Sequence, residues 1–186
     1  MLSDLANKTK DTLVSAIKAG EDTATALRSS ISKTLAGLAH DAGGVAKANV
    51  EAITDVIKGA IAGASSTGGS AIEATSTVVH QAIQALQKAG GDAVQATQQV
   101  VRGAVLGASE VGGDIGKAAI AAINSAAEVA QHGGHSVVDV TRSAIAGALQ
   151  AGEELASKAA GAARTAANET VAVPRQLIEA LTGPRK

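Results

Sequence analysis

The chain contains no Phe, Trp or Tyr and no Cys, and it has only two prolines and one methionine in 186 residues. Each shortage excludes something. Aromatic side chains supply much of the buried area of ordinary cores and the faces on which bases stack, so neither an aromatic anchor nor a stacking platform is present. Without cysteine there is no disulfide framework, thiolate metal site or thiol nucleophile. Charge of one sign is also lacking: 16 Lys and Arg are scattered among 17 Asp and Glu, for a net charge of −1. A nucleic-acid binder needs a cationic stripe to displace counterions from phosphates, so no nucleic-acid partner is expected. No window of about 18–20 residues is apolar and uncharged enough to span a bilayer. The opening residues, MLSDLANKTKDTLVSAIKAG, lack the basic region and apolar core of a signal peptide. No transmembrane segment and a cytoplasmic location are the expectations.

What the chain has instead is a row. Every eleventh residue from position 13 reads Leu13, Ala24, Leu35, Ala46, Ile57, Gly68, Val79, Gly90, Val101, Gly112, Ile123, Gly134, Ile145, Ala156. Large and small residues alternate throughout, which makes the unit a pair of elevens, 22 residues, running in frame without insertion. Eleven residues make three turns at about 3.67 residues per turn, so the same side of a helix returns each time. Neighbouring rows are largely apolar too: Ile17, Val50, Ile61, Ile72, Ile83, Val94 and Val105 in one, where Arg28 is the exception, and the mostly β-branched Val45, Val56, Thr67, Val78, Ala89, Val100 and Val111 in another. The remaining rows carry Asp55, Lys58, Glu73, Lys88, Gln95, Arg102, Glu110, Lys117 and Glu128. Such a pattern predicts amphipathic helices with a wide apolar arc and an all-α fold of long helices, packed as a rod, helical hairpin or bundle. Arrays of this period gain stability from neighbouring units, because no single unit buries its own face.

Three regions follow. Residues 1–42 read as an N-terminal helix, with Leu13, Ile17, Ala24, Leu27, Ile31, Leu35 and Leu38 at helical steps and Ser3 or Asp4 as its cap. Gly43-Gly44 is out of phase with the later pairs and is the best turn candidate. Residues 43–173 are the repeat, and 174–186 are a short amphipathic turn and basic tail set off by Pro174. The Gly-Gly pairs beginning at Gly68, Gly90, Gly112 and Gly133 admit two arrangements. Either glycine ends one helix and Ser70, Asp92 or Asp114 caps the next, or the helix runs through and close approach of a partner offsets a cost of about 1 kcal/mol per glycine. The caps favour turns; the unbroken frame tips the balance to continuous helix.

The residues with the strongest signal are those of a packing seam: Ile57, Gly59, Gly63, Gly68, Val79, Gly90, Val101, Gly103, Gly107, Gly112, Ile123, Gly134 and Ile145. Gly59-x-x-x-Gly63, Gly103-x-x-x-Gly107 and Gly112-x-x-x-Gly116 are small-xxx-small pairs that let backbones approach. Large residues facing glycines would fix register, as knobs and holes do. Chemistry has weaker signals. Glu128, His132, His135 and Asp139 would share one face of a continuous helix and are the only metal candidate, but polar residues beside a Gly-Gly turn are the commoner origin of such a cluster. No Ser-His-acid constellation stands out, and no Lys-Ser/Thr follows the glycines at Gly90-Gly91 to make a phosphate loop. No enzyme, metal or cofactor is expected.

At Gly59-Ala60-Ile61-Ala62-Gly63-Ala64, Gly103-Ala104-Val105-Leu106-Gly107-Ala108 and the Gly-Gly-Asp steps, the chain resembles uncharacterised bacterial Ala/Gly-rich helical-repeat proteins. It is more loosely similar to phasins and late-embryogenesis-abundant proteins. The resemblance to phasins implies a role on the surface of storage granules, and it transfers no functional residue. The residues themselves imply a non-enzymatic structural protein that self-assembles through its Ala/Gly-rich faces into an oligomer or filament, with itself as partner. The alternative is a peripheral coat on lipid or polyester granules.

Overall fold

The computed structural model describes residues 3–41, 50–89 and 92–155. These form seven α-helices: α1 Asp4–Lys18, α2 Thr23–Asp41, α3 Val50–Ser66, α4 Ala71–Lys88, α5 Ala93–Glu110, α6 Ile115–Gly133 and α7 Val137–Glu154. No strand occurs among the described residues. The fold is all-α with a helical repeat, and the continuous helix favoured by the unbroken frame gives way to short helices joined by turns.

The turns share one construction. Gly20, Gly68, Gly112 and Gly134 have φ of +99°, +92°, +74° and +71°, the left-handed conformation that glycine reaches without a Cβ penalty. The residue after each glycine donates its N–H to the carbonyl five positions back: Glu21 to Ala16, Gly69 to Ala64, Gly113 to Ala108 and His135 to Ala130. One residue further on begins the next helix. Asp22 accepts from the Ala24 and Thr25 amides, both at 3.0 Å. Asp114 accepts from Lys117 at 3.0 Å and Ser136 from Asp139 at 3.3 Å. Ser70 holds the same position without a side-chain cap bond, and Asp92 caps α5. Ser3 caps α1, accepting from Ala6 at 3.2 Å. Gly-x-Asp/Ser is therefore a stop and a start in three residues.

This construction corrects two expectations. The N-terminal stretch is not one helix: the turn at Gly20 divides it into α1 and α2. The frame also contains an insertion. Gly68 and Gly112 are 44 residues apart, two units, whereas Gly20 and Gly68 are 48 apart. The same offset of 48 maps buried Ala6, Thr9 and Leu13 of α1 onto buried Thr54, Ile57 and Ile61 of α3. Four extra residues thus lie between the two pairs, in the stretch joining α2 to α3. Four residues are close to one helical turn, so the insertion returns apolar residues to the same side and leaves the row looking intact. The Gly43-Gly44 turn, Gly90, the repeat boundary at 43, and the tail from 174 onward lie outside the described residues.

The helices form two layers. In one, α1, α3, α5 and α7 lie side by side; in the other, α2, α4 and α6 do, and successive helices bridge the layers. Between them runs a continuous core. Its largest fully buried side chains are Leu, Ile and Val, among them Leu13, Leu35, Ile57, Ile61, Ile83 and Ile123. Burial of each such side chain contributes roughly 1.5–3 kcal/mol, and repetition replaces the area that aromatics would supply. No helix among the described residues is long and apolar enough to cross a membrane.

Candidate functional site

The alternating row resolves into two structural roles. Its large members Leu35, Ile57, Val79, Val101, Ile123 and Ile145 lie within helices and are buried. Its small members Gly68, Gly112 and Gly134 lie at the left-handed turns, where an added Cβ would meet nothing within 4 Å. Those three glycines, expected in a helix-packing seam, serve the backbone conformation instead, and Gly112 cannot pair with Gly116 as a small-xxx-small contact on one helix. Alternation follows from a repeat in which mid-helix and turn are eleven residues apart.

Gly59, Gly63, Gly103 and Gly107 of the expected seam, together with Gly147, do mediate close packing between helices, all within the first layer. A Cβ on Gly59 of α3 would collide with the Ala6 carbonyl of α1, and one on Gly147 of α7 would collide with the Gln98 carbonyl of α5. Gly103 of α5 would meet Thr54 Cα and Ile57 Cβ at 3.1 Å. One turn along, Gly63 would meet Leu13 Cδ2 at 2.7 Å and Gly107 would meet Lys58 Cα at 3.1 Å. Each of α3, α5 and α7 thus presents glycine to the helix two places before it. Gly147 had no place in the seam read from sequence, because Ala151 stands where a second glycine would complete the motif; its position 44 residues after Gly103 is the signal that finds it.

An ion-pair step follows the same 44-residue spacing. Lys58 Nζ of α3 lies 2.6 Å from Glu110 Oε1 at the end of α5, and Arg102 Nε of α5 lies 2.6 Å from Glu154 Oε1 at the end of α7. Both pairs close the solvent edge of a glycine contact. Beside the second is a shallow groove lined by Val50, Gln99, Arg102, Gln150, Glu153 and Glu154. In the second layer Ser76 Oγ of α4 meets Ser125 Oγ of α6 at 2.6 Å.

The first and last of the described helices differ at the repeat positions. With the offset of 48, the α1 residues equivalent to Gly59 and Gly63 are Asp11 and Ser15, both exposed. On α7, the positions equivalent to Lys58 and Arg102 hold Ala146, and those equivalent to Ile61 and Val105 hold Leu149, which is only partly buried. Val138 of α7 and Val50 are the exposed large hydrophobics among the described residues.

The Glu128, His132, His135, Asp139 set is split by the turn at Gly134. Glu128 and His132 are on α6, His135 is in the turn, and Asp139 is on α7. His132 Nδ1 is 2.8 Å from the Glu128 carbonyl, and Asp139 lies 3.5 Å from Arg142 Nη1. No group of three or more side chains able to hold a metal ion is found among the described residues.

Two layers, a shared turn and a glycine contact repeated between alternate helices define a helical-repeat protein. No protein-family model matches the chain, and no curated protein matches it. In three dimensions it is similar to a de novo designed helical repeat protein, DHR7, with a TM-score of 0.55 and 18% identity over 97% of this chain and 98% of that one. At that identity the likeness shows the fold alone. It is consistent with the helical-repeat resemblance, and no family match accompanies it to carry the likeness to phasins or late-embryogenesis-abundant proteins.

Proposed function

We propose that the chain is a non-enzymatic structural protein, a helical-repeat scaffold that associates with further copies of itself into an oligomer. The observation that carries this is α7. Among the described residues no helix covers the positions by which α3 and α5 receive the next helix, and Leu149 there is partly exposed where Ile61 and Val105 are fully buried. Most of the Ala/Gly surface is already spent between helices of the same chain, so self-association is a matter of this end and not of the whole apolar arc. The same fact weakens the coat alternative, since a coat lays that arc on a lipid or polyester surface.

Light scattering with small-angle X-ray scattering over a concentration series tests the proposal. The expected result is a mass that rises above the 18.1 kDa of one chain as concentration increases, with no change in helix content. A mass that stays at one chain throughout would remove the self-association reading.

A further inference from the structure

We propose that Ser66, the last residue of α3, is a phosphorylation site, and that its phosphate pairs with Lys10 of α1. The repeat places the two side chains. Gly59 and Gly63 of α3 sit against Ala6 and Leu13 of α1 as Gly103 and Gly107 of α5 sit against Thr54 and Ile61 of α3. Ala6 and Leu13 correspond to Thr54 and Ile61 at the offset of 48, so α1 and α3 meet with the same stagger as α3 and α5. In that register Lys10 stands where Lys58 stands, and Ser66 stands where Glu110 stands.

One step of the ion-pair ladder therefore lacks its acid. Lys58 pairs with Glu110 and Arg102 with Glu154, each at 2.6 Å, whereas Lys10 makes no ion pair among the described residues. The acid's place is held by a neutral hydroxyl. The whole turn shows the same exchange: residues 66–70 read Ser-Thr-Gly-Gly-Ser where 110–114 read Glu-Val-Gly-Gly-Asp. Both acids of the later turn are serines in the earlier one, and Ser70 makes no side-chain cap bond where Asp114 makes one. Phosphoserine carries close to two negative charges near neutrality and three acceptor oxygens. On Ser66 it restores the anion that the cation is placed to meet.

The hydroxyl is open to a modifying enzyme. Ser66 is exposed, as are Gly68, Gly69 and Ser70, and its Oγ donates to the Gly63 carbonyl of its own last turn at 2.8 Å. The neighbouring Ser65 Oγ is buried. A protein kinase transfers the γ-phosphoryl group of a nucleoside triphosphate: the Ser66 Oγ–P bond forms and the bond from the γ-phosphorus to its bridging oxygen breaks. The nucleoside diphosphate leaves, and the hydroxyl proton passes to the base of the kinase. A phosphate at the C-terminal end of a helix meets the unfavourable end of the dipole, so Lys10 decides the sign of the effect. With Lys10 in place the pair closes the solvent edge of the α1 contact and fastens the first helix to the layer.

Two measurements on the full chain test this, and neither depends on self-association. The first is phosphopeptide mapping by mass spectrometry of the chain recovered from its own cells under phosphatase inhibition. Phosphate is expected on Ser66; its absence there, with or without phosphate on Ser70 or another hydroxyl, overturns the site. The second is urea unfolding of the chain made with phosphoserine at position 66, compared with its unphosphorylated form, in the parent and in Lys10→Met, which keeps the alkyl stem. With Lys10 the phosphate is expected to raise the folding equilibrium constant about two- to fivefold. In K10M it is expected to lower that constant, and circular dichroism checks that the helices persist. S66E, which supplies the acid of the other two steps, is expected to show the same dependence on Lys10 in smaller measure. An effect of phosphate that is equal with and without Lys10 would overturn the pairing.

Discussion

The two layers solve the same packing problem in opposite ways. Where α3, α5 and α7 each meet the helix two places before them, backbone approaches backbone, and Gly59, Gly103 and Gly147 leave no room for even a methyl group without a shift. In the second layer the contacts shown are made by side chains: Val78, Val79, Ile83 and Leu86 of α4 are buried in the core, and a serine pair bridges α4 to α6. A glycine in this chain is therefore informative only with its layer and its place in the helix. In the first layer it sets the distance between helices; at the helix ends it sets the backbone angle.

Substitution separates these roles, and the largest effects belong to the first. Gly59→Ala and Gly147→Ala force overlap with a carbonyl that belongs to a neighbouring helix. Overpacking of this kind costs about 1–3 kcal/mol, and leucine is expected to cost more than alanine at either site. Gly68→Ala and Gly112→Ala strain a left-handed residue instead, for about 1–2 kcal/mol. Because nothing lies within 4 Å of a Cβ at either turn, leucine there should cost no more than alanine. Urea denaturation midpoints at constant m-value measure both series. Equal size dependence in the two groups would abolish the distinction.

The same distinction explains how much of the fold is legible in the sequence. Apolar periodicity identified the buried side chains: Ile57, Val79, Val101, Ile123 and Ile145 stand in the row and in the core. The helix ends were also legible, since Asp92 and Asp114 cap helices as their position after a glycine pair suggests. What misled was the frame. A turn that keeps the repeat length constant leaves every row intact, so continuity of pattern does not distinguish one long helix from an array of short ones. Insertion of four residues is hidden for the same reason. Gly20 is hard to recognise as a turn because its second residue is Glu21, though Asp22 completes the same stop-and-start signature. The sequence shows a surface that needs a partner, and only the three-dimensional arrangement shows that the partner is mostly the chain itself.

The turn signature has a titratable member. The Thr25 side chain and amide, with the Ala24 amide, hold the Asp22 carboxyl below its ordinary value. A folded pKa below the unfolded one gives stability that is fully present above the unfolded value and lost as pH falls through the folded one. Asp22→Asn keeps the cap acceptor but cannot titrate. Stability of the parent is therefore expected to fall relative to D22N as pH drops below about 4, with the two converging toward parallel behaviour near neutrality. Identical pH profiles would show that the cap bonds of Asp22 are the same in the folded and unfolded chain. Ser136, the cap of α7, is uncharged and offers the control, since S136A should shift stability without changing its dependence on pH.

The smallest effects belong to the ion pairs that border the glycine contacts, and they sharpen the contrast between packing and charge. Lys58–Glu110 is the more buried, with 15% and 29% of the two side chains exposed, against 21% and 43% for Arg102–Glu154. Partly exposed pairs contribute about 0.2–1 kcal/mol. Lys58→Met keeps the alkyl stem that packs on the helix and removes only the charge. In a double-mutant cycle with Glu110→Gln, the coupling for Lys58–Glu110 is expected to exceed that for Arg102 with Glu154. Salt discriminates further: at about 1 M the screening length falls to about 3 Å, which should diminish the more exposed Arg102 pair first. The cost of Gly59→Ala should not respond, because a steric overlap has no ionic atmosphere to screen it. If salt moved the glycine series and the ion-pair series alike, the close approach of the first layer would owe its stability to charge and not to the absence of a side chain.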